Sequence, residues 1–540
     1  MTDTIDAARA IDPAPIAAPV PTRAAVVRER GGTAVLTEVT LPAPGPDDVV
    51  VRIMASGVCP TDLFGLDGGA GDRFPAVFGH EGAGIVLAVG GRVGGIHPGD
   101  HVVLGFASCG SCRACADGHP AYCARFGELN YGTRDALAGD ERVNTGWMSQ
   151  SSWAEHVVTP ASSVAVVGDD VPWPVAAPLG CGVLTGAGTV LNALRPGPGD
   201  GLLVLGAGTT GLAAVMAARH RGVSRIAVSD PLAARRALAL ELGATAAHDP
   251  SSLAAMTGFT HALDTVGTQG TTEAALAALA PRGVVATVAL KPGANPVTVS
   301  QSRLLWGRTL VGVIEGDAVV ARDVALLAAL WRAGRLPVER LVTAYDFADI
   351  GGALDDVRAG RAIKPVLMMD RDAGETAVAA SPAPLIDALR AGTVPDDDLP
   401  VLWRSLPPVA PDQLRGLWRG WGVTRGHRAG RLLERHRWYG KLFRSEDDVS
   451  PIVCERDDGS LVEDLALARG GATLRTASYD GIPTAAMFYD GQAIVDLFVR
   501  LAPDAVLGVM TGRDAADRGR AYFFVLEEDP DRPVARAPHD

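Results

Sequence analysis

The spacing of apolar residues changes along the chain and divides it into regions of different predicted structure. Between residues 24 and 181, short β-branched runs such as residues 49–54 and 84–89 are separated by glycine and proline, which predicts a β-rich region. Between residues 183 and 316, apolar runs typical of buried strands alternate with stretches rich in alanine and leucine. This alternation predicts parallel βαβ units with helices on both faces of one sheet. The clearest strand runs there are residues 202–205, 226–229 and 284–288.

The rest of the chain predicts a return to the first region, a linker and a separate domain. Residues 319–370 contain a helical run, a second short helix and a closing strand. Residues 371–384 are rich in Ala, Ser, Pro and acidic residues, which predicts a linker, and residues 1–22 have no apolar periodicity, which predicts a disordered leader. Residues 385–540 predict a β-rich domain with strand-like runs at residues 473–478, 485–489, 507–510 and 522–526.

Composition and charge exclude several classes of function. A chain of 540 residues with 47% hydrophobic residues predicts two or three globular domains. The 49 basic residues against 62 acidic residues give a net charge of −13, which disfavours nucleic acid as a partner. No stretch reaches the roughly 18 consecutive apolar residues that a membrane span requires, and the first twenty residues lack the cationic start of a signal peptide. We therefore expect a soluble, cytoplasmic protein without a membrane partner.

Four of the seven cysteines form a short cluster with the spacing Cys109-x2-Cys112-x2-Cys115-x7-Cys123. Two-residue spacers let a loop wrap a tetrahedral ion, and zinc is the expected one. Four sulfur ligands leave no open coordination position, so this site is predicted to stabilise a loop. The alternatives are two disulfides, free core cysteines or an iron–sulfur cluster, although nothing else in the sequence indicates electron transfer.

Three further potential ligands are spread along the chain. Cys59 precedes Pro60-Thr61-Asp62, His80 precedes Glu81 between glycines, and Cys181 lies between two glycines. Two thiolates and one imidazole leave a zinc position open for water or a substrate oxygen, which suits Lewis-acid chemistry. Taken singly, each residue is more typical of an ordinary buried core position, so the prediction depends on the whole set.

A glycine-rich turn with a matching acidic residue predicts dinucleotide binding. The strand run 202–205 leads into Gly206-x-Gly208-x-x-Gly211 and then into a helical stretch, and Asp230 follows nineteen residues after the last glycine. The glycines bring a pyrophosphate to the helix N-terminus, and Asp230 would bind the ribose and repel a 2′-phosphate, which favours NAD over NADP. Arg235 and Arg236 leave an alternative open, because an arginine there could bind that phosphate; their other interpretation is an exposed helix face.

In this order, the motifs resemble those of the zinc-dependent medium-chain alcohol dehydrogenases over roughly residues 24–370. Within that family the chain is similar to aryl-alcohol (benzyl-alcohol-type) dehydrogenases. The resemblance implies an α/β and β architecture, with a GroES-like β-rich catalytic domain (residues 23–182 and 319–370) and a Rossmann domain with a doubly wound parallel sheet (residues 183–318). The motifs that carry it are residues 79–86, 106–110, 118–123, 179–183 and 313–317.

The resemblance also implies metal roles for individual residues. Cys59, His80 and Cys181 would bind a catalytic zinc ion, and Glu81 would lie behind it or transiently on it. Asp62 would orient His80, a partnership that is expected for any zinc-bound histidine. The four-cysteine cluster would hold a second, structural zinc ion.

Proton and coenzyme contacts follow from the same resemblance, with two departures. Thr61 would carry the hydroxyl that takes the substrate proton, and Lys364 matches the position of a basic residue that contacts the coenzyme pyrophosphate. Phe64 stands where some members have a histidine that completes the proton relay, so the final proton acceptor is left open. Pro60 stands where a basic residue often contacts the pyrophosphate, a contact that Lys364 would partly replace.

The resemblance implies an oxidoreductase that transfers hydride between NAD and a primary aromatic or allylic alcohol or aldehyde. Phe106 and Trp147 are candidates for the substrate pocket, and a homo-oligomer, either a dimer or a tetramer, is expected. One alternative is a thiol-dependent formaldehyde dehydrogenase of the same superfamily. Another is a redox-inactive sensor of NAD or of an apolar ligand, against which the complete set Cys59, His80 and Cys181 argues.

The C-terminal domain contains the motif Gly416-Leu417-Trp418-Arg419-Gly420. It resembles the small GXWXG family, which is usually followed by a companion domain of unknown function, and also the opening of lipocalin-like and nitrobindin-like barrels. A haem barrel would need an axial histidine, and His427 and His436 both lie near the start of the domain. The sequence leaves three alternatives: a haem barrel, a barrel for a small apolar ligand, and a structural or interaction module.

Overall fold

The computed structural model describes residues 18–535 apart from residues 70, 72, 292–294, 370–384, 393, 503, 516, 518, 530 and 531. The chain divides into two compact units, Met1–Pro382 and Ala383–Asp540. The predicted linker at 371–384 lies outside the described residues, as does most of the predicted leader. The first strand nevertheless begins at Val20, inside the range 1–22 predicted as a leader, because Val20 and Thr22 alternate inward and are buried.

The first unit opens with ten strands that form a small barrel and part of a second sheet. Strands β1, β2, β7, β8 and β4 close the barrel, and β10, β6, β5 and β3 lie side by side with β9 also paired to β3. The strands are β1 Val20–Val27, β2 Val35–Leu41, β3 Asp48–Gly57, β4 Ala76–Val77, β5 Gly82–Val89, β6 His101–Leu104, β7 Asp135–Ala138, β8 Glu141–Asn144, β9 His156–Pro160 and β10 Val164–Val167. Short helices connect them: α1 Pro60–Leu66, α2 Arg113–Ala116, α3 Phe126–Asn130 and α4 Trp173–Ala176.

A parallel six-stranded sheet follows and confirms the predicted Rossmann architecture. All its pairings are parallel, in the order β13-β12-β11-β14-β15-β16. Its strands are β11 Gly201–Leu205, β12 Arg225–Ser229, β13 Ala246–His248, β14 Phe259–Asp264, β15 Leu279–Thr287 and β16 Thr309–Gly312. Its helices are α5 Gly182–Gly188, α6 Thr209–His220, α7 Ala233–Glu241, α8 Gln269–Ala278 and α9 Gln301–Leu304. β11 is buried along its whole length, as expected for a central parallel strand.

The chain then returns to the first sheet. The return segment contains α10 Val320–Arg332, β17 Val342–Asp346, α11 Ile350–Arg358 and β18 Lys364–Met368. β18 pairs antiparallel with β3, which extends the sheet to the order β10-β6-β5-β3-β18-β17. This pairing brings the start of β18 next to Gly57, at the end of β3 that leads into Cys59.

The second unit is an antiparallel barrel, which confirms the expectation of a β-rich and barrel-like domain. Eight strands form a closed ring in the order β19, β27, β26, β25, β24, β23, β21 and β20, with β20 paired back to β19. The strands are β19 Gly416–Gly422, β20 Trp438–Phe443, β21 Val449–Glu455, β22 Leu461–Glu463, β23 Ala472–Tyr479, β24 Ile482–Tyr489, β25 Val495–Ala502, β26 Ala505–Thr511, β27 Tyr522–Glu528 and β28 Val534–Ala535. The helices are α12 Leu385–Ala391, α13 Leu399–Ser405, α14 Arg428–Arg435 and α15 Leu465–Ala468.

Among the described residues, no single helix is both long enough and apolar enough to cross a membrane. One bent pair, Trp173–Gly180 with Gly182–Leu194 at an angle of 61°, meets the length and composition requirement jointly.

Candidate active site and metal centres

His80 is held on a sharply turned loop between β4 and β5. Gly79 has a φ of +89°, and a Cβ atom there would overlap Trp153, so only glycine fits the turn. The side chain of Gln150 fixes the loop, because its Nε2 donates to the His80 carbonyl oxygen at 2.9 Å and its Oε1 accepts from the Gly82 N–H at 3.1 Å. His80 is thereby buried in a defined position.

Two cysteines converge on His80 from helix starts. Cys59 immediately precedes α1, and Cys181 immediately precedes α5. His80 Nε2 lies 3.1 Å from Cys181 Sγ, and one donor atom from each of Cys59, His80, Glu81 and Cys181 lies within 4.8 Å of the others. Such a group of buried sulfur and nitrogen donors fits one zinc ion with a position left open.

Asp62 fixes the orientation of the His80 ring. Its Oδ1 lies 2.7 Å from His80 Nδ1 and also accepts from Trp147 Nε1 at 2.9 Å, while its Oδ2 accepts from the Cys59 N–H at 3.0 Å. Burial opposes a charge on the imidazole, but the Asp62 carboxylate raises the pKa of His80 well above its usual value. With Nδ1 bonded to a carboxylate, Nε2 is the nitrogen directed at the metal position.

Glu81 is paired with Lys364, a partner that the sequence did not predict for the lysine. Lys364 Nζ lies 2.7 Å from both carboxylate oxygens of Glu81 and 3.4 Å from the Val58 carbonyl oxygen, and Lys364 is only 1% exposed. All three ammonium hydrogens therefore have partners inside the protein. The pair lies behind the metal site because β18 begins beside the end of β3. A contact of Lys364 with a coenzyme pyrophosphate stays a prediction.

Glu315 is a second buried carboxyl group near the metal ligands, and sequence reasoning did not assign it a role. Burial raises its pKa to about 7, and the nearby groups that also affect it include His80 and Cys59. Thr185 Oγ1 donates to it at 3.5 Å. Glu315 belongs to the motif 313–317, so the resemblance marked the segment, but a carboxylate before a glycine is also typical of an exposed turn.

Thr61 and Phe64 both lie on α1. Thr61 is the second residue of the helix, two positions after Cys59, and it is half-buried. Phe64 is half-buried, and its ring lies against Gly69. The helix thus places Thr61 two residues after the donor Cys59, with the Phe64 ring one turn later.

Neither Phe106 nor Trp147 presents an open face. Trp147 is buried and acts on the site through its hydrogen bond to Asp62, and Phe106 packs against Phe126 with ring centroids 5.8 Å apart. Tyr131 is half-buried and packs against Trp147 at 5.6 Å. Burial raises the pKa of Tyr131 to about 12, and the charges of Glu315 and Cys181 add to this effect. An aromatic cluster therefore adjoins the metal site.

The four clustered cysteines form the second candidate metal centre. Cys115 Sγ lies 3.5 Å from Cys112 Sγ and 3.9 Å from Cys109 Sγ, and backbone N–H groups donate to the sulfurs, for example Cys109 N to Cys123 Sγ at 3.3 Å. Backbone hydrogen bonds from Ser111 and Cys112 lower the pKa of Cys109 to about 6. All seven cysteines are free thiols, so no disulfide competes with a metal. The donor set fits a closed tetrahedral zinc site.

The turn between β11 and α6 has the shape that a dinucleotide requires. Gly206 has a φ of +95°, and a Cβ atom there would overlap the Thr265 hydroxyl. A Cβ atom at Gly211 would overlap the Gly206 carbonyl oxygen, so this glycine lets the helix start against the strand. Gly208 precedes α6 without a side-chain cap, and the space beside its Cα is open. The start of α6 is thus accessible to a pyrophosphate.

Asp230 directly follows β12, beside the glycine turn. Its Oδ2 accepts from the Ala207 N–H and its Oδ1 from the Leu232 N–H, each at 2.8 Å. These two bonds fix a buried carboxylate that still has lone pairs for ribose hydroxyls. The residues present therefore fit NAD.

The two arginines after Asp230 are bonded to backbone carbonyl groups. Arg236 donates to the carbonyl oxygens of Asp230 and Pro231 at 2.7 and 2.9 Å, and Arg235 donates to that of Gly360 at 3.2 Å. The Arg236 bonds brace the end of β12, whereas the Arg235 bond joins α7 to the turn after α11. They supply no separate argument for a 2′-phosphate.

Comparison with known families assigns both units. The first unit matches the alcohol dehydrogenase GroES-like domain at residues 45–169 and the zinc-binding dehydrogenase family at residues 209–329. The second unit matches the GXWXG protein family at residues 401–459 and a domain of unknown function (DUF4334) at residues 470–528. These matches confirm the resemblances expected from the motifs.

The first unit matches individual relatives over all or nearly all of their length. A geraniol dehydrogenase from Castellaniella defragrans is 42% identical over 363 residues, 64% of this chain and 97% of that enzyme. A zinc-binding alcohol dehydrogenase structure from Burkholderia ambifaria has a TM-score of 0.64 and 36% identity over 66% of this chain and 100% of its own. A benzyl alcohol dehydrogenase structure from Acinetobacter calcoaceticus has a TM-score of 0.62 and 34% identity over 65% of this chain and 100% of its own. The chain belongs to the zinc-dependent alcohol dehydrogenases and carries a C-terminal GXWXG domain.

Proposed function

We propose that this alcohol dehydrogenase interconverts primary aromatic or allylic alcohols and their aldehydes with NAD as the hydride carrier. The observation that carries the proposal is the convergence of Cys59, His80 and Cys181, whose donor atoms lie within 4.8 Å of one another. A three-residue donor set of this kind leaves room for a substrate oxygen, which a purely structural site does not need.

Residues of the chain itself orient the metal-binding side chains and move the proton of the substrate hydroxyl. Zinc, when bound, supplies a Lewis acid that makes the alcohol hydroxyl more acidic, and NAD supplies the hydride acceptor. Asp62 holds the imidazole of His80 with Nε2 toward Cys181. Thr61 accepts the hydroxyl proton of the substrate and, because it is half-buried, exchanges that proton with solvent. Lys364 neutralises Glu81, so that this carboxylate adds no net negative charge behind the site.

The surroundings of the site support an apolar alcohol as substrate. Tyr131 is half-buried and packs against Trp147, which itself donates to Asp62, so the Tyr131 ring offers an apolar contact to an aryl or allylic group. Similarity to a geraniol dehydrogenase and to a benzyl alcohol dehydrogenase supports the same class.

Steady-state formation of NADH tests this proposal. We expect kcat/KM for geraniol and benzyl alcohol to exceed that for ethanol by about a hundredfold or more, because each buried CH₂ contributes roughly 0.8 kcal/mol of binding. Activity with formaldehyde only in the presence of a thiol would favour the formaldehyde dehydrogenase alternative. Absence of turnover with all of these substrates would favour the sensor alternative.

Asp230 is predicted to select NAD. Asp230→Asn should weaken NAD binding about tenfold or more and reduce the preference over NADP, because a charged acceptor of ribose hydrogen bonds is lost and a repulsive charge is removed. The matched control is Asp249→Asn, since Asp249 lies nearby and contacts Arg236 but not the glycine turn. Titration of both coenzymes by fluorescence measures the effect, and an unchanged NADP to NAD ratio would contradict the assignment of Asp230.

We also propose that the first unit pairs with a second copy through the edge of its parallel sheet. β16 is the last strand on that side, and large apolar side chains lie exposed beside it: Leu305 is 75% exposed and Trp306 is 66% exposed. Val311 and Ile314, on and after β16, are more than a third exposed. An unpaired strand edge with exposed apolar residues favours association.

The test of this dimer is Trp306→Glu, which places a charge in the apolar patch. Sedimentation should then show a monomer, or a dimer weakened at least about tenfold. Leu137→Glu is the control, because Leu137 is similarly exposed at 48% but lies on β7 of the small barrel. Equal association of both variants and the parent protein would contradict an interface at β16.

The protein is expected to act in a reducing compartment such as the cytoplasm. All seven cysteines are free, and six of them belong to the two candidate metal centres. Thiolate sites of this kind remain intact where disulfides do not form. Fractionation of the cells that make the protein would test this expectation.

A further inference from the structure

A buried polar cluster lies inside the barrel of the second unit. Lys441 Nζ lies 2.7 Å from Asp496 Oδ2 and donates to the Tyr489 hydroxyl at 3.1 Å, and Tyr489 donates to the same carboxylate at 3.1 Å. The side chains of Lys441 and Asp496 are 2% and 0% exposed. Three polar side chains in a barrel core that is otherwise apolar require an explanation.

Alternation along the strands places this cluster in the barrel interior. Asp496 and Phe498 are two residues apart on β25, and Met487 and Tyr489 are two residues apart on β24, so each pair faces the same side. Phe498, Met487 and Tyr489 all belong to the main core of the barrel. The ammonium group of Lys441 also lies 5.2 Å from the ring centroid of Phe524 and 5.6 Å from that of Trp438. The cluster is therefore enclosed by aromatic rings.

A structural ion pair does not account for all of its polar atoms. Asp496 Oδ1 is buried and has no hydrogen-bond partner among the described residues. An unpaired buried carboxylate oxygen is unfavourable, and an apolar core of the same volume is often at least as stable as a buried ion pair. The second oxygen of Asp496 is thus available to a donor that is not part of the chain.

The choice of lysine at this position is chemically informative. Only three of the chain's 49 lysine and arginine residues are lysines: Lys291, Lys364 and Lys441. Arginine stays protonated in a protein, whereas lysine can become a neutral amine. Burial lowers the pKa of Lys441 and raises the pKa of Asp496, so both shifts make transfer of the ammonium proton to Asp496 less costly than it would be in water.

We propose that Lys441 is the nucleophile of a carbonyl-binding site, in which an apolar aldehyde or ketone is bound as an imine inside the barrel. The ammonium proton passes to Asp496, and the neutral amine forms a C–N bond to the carbonyl carbon, which gives a carbinolamine. The carbinolamine hydroxyl donates to Asp496 Oδ1 and then leaves as water with the proton that Asp496 returns. No oxidant or reductant is consumed, and hydrolysis by one water molecule reverses the step.

The aromatic enclosure sets the chemical class of the ligand. Trp438 and Phe524 favour an aryl or unsaturated carbonyl compound, because planar apolar groups stack against such rings. A small polyhydroxylated aldehyde would bury hydroxyl groups without partners. This inference rests on the second unit alone and does not depend on the function proposed for the first unit.

Reductive trapping on the full-length protein tests the proposal. Cinnamaldehyde and sodium cyanoborohydride are added at neutral pH without coenzyme, and the position of each secondary amine is found by peptide mass mapping. The three lysines make the readout simple. If the proposal holds, Lys441 is trapped faster than Lys291, because a lowered pKa increases the fraction of neutral amine at neutral pH. Lys291 is exposed, so burial alone would give the opposite order.

One further aldehyde and two variants make the result decisive. Glyceraldehyde should modify Lys441 at least about tenfold less than cinnamaldehyde, and Lys441→Arg should remove the barrel adduct while modification of Lys291 continues. Asp496→Asn is the second variant, and it should slow trapping at Lys441 without changing Lys291. Faster trapping at Lys291 than at Lys441 would overturn the proposal. So would a ratio of trapping at Lys441 to trapping at Lys291 that is the same in the folded and the unfolded protein. Either result would leave Lys441 as a member of a structural ion pair.

Discussion

Replacing Cys181 with serine is expected to remove the zinc ion of the open site and to lower kcat/KM about a thousandfold or more. A serine hydroxyl is a poor zinc ligand at neutral pH, and a Lewis acid typically contributes several kcal/mol of transition-state stabilisation. Cys181 Sγ lies 3.1 Å from His80 Nε2, so its loss breaks the donor set at its centre. Metal analysis and NADH formation with geraniol would measure both effects.

The matched control is Cys454→Ser. Cys454 is as buried as Cys181 but lies on β21 of the second unit, outside both candidate metal groups. The Cys454→Ser substitution should therefore leave the zinc content and the turnover of alcohols unchanged. If Cys181→Ser retains its zinc ion and more than a tenth of the parent activity, Cys181 is not a ligand of the catalytic ion.

Thr61→Ala should lower kcat by a factor of about 100 to 10,000 while zinc content and NAD affinity stay close to the parent values. General base participation at a positioned group contributes an effect of that size. Thr61 follows Cys59 by two residues but is not among the metal-binding donors, so removal of its hydroxyl leaves the metal site intact. Stopped-flow measurement of the first turnover would separate the chemical step from coenzyme release.

Thr61→Ser serves as the conservative variant, because it keeps the hydroxyl and removes only a methyl group. It should restore most of the turnover, whereas Thr61→Val, which keeps the volume, should not. Full activity of the valine variant would contradict a proton role for Thr61 and would move that role to another group, such as solvent beside Phe64.

The sequence predicted a site best where one short segment supplies all the residues that form the site. The turn at Gly206, Gly208 and Gly211 is one such segment, because a strand, three glycines and a helix start are adjacent in the chain. The cysteine spacing from Cys109 to Cys123 is another, because a single loop supplies all four donors. In both cases the fold adds little to what the local pattern already requires.

Contacts between distant segments were much harder to predict. The bonds from Trp147 to Asp62 and from Gln150 to the His80 loop join residues about 70 to 85 positions apart, and no local pattern marks either donor. The pairing of Lys364 with Glu81 spans 283 positions and depends on β18 returning to β3. A basic residue at that position suits either a phosphate or a carboxylate, so only the tertiary structure distinguishes the two.

The barrel of the second unit shows the same limit. Apolar runs predicted four of its strands, β23, β24, β26 and β27, but closure depends on β20 pairing with both β19 and β21. Lys441 follows an aromatic and glycine-rich stretch and looks like an ordinary outward-facing residue in the sequence. Bulges between β20 and β21 shift the register around Gly440, and this irregularity disturbs the simple alternation that sequence reasoning assumes.

Recovery of activity during zinc titration tests the central claim most directly. The protein is first treated with a chelator under mild conditions, and NADH formation with geraniol is then measured against bound zinc. The open site should lose its ion first, because it has fewer protein ligands than the four-cysteine site. We predict that turnover rises in proportion to the last zinc ion bound per chain, while the folded state persists throughout. Full turnover with clearly less than one zinc ion per chain would contradict a catalytic role for Cys59, His80 and Cys181.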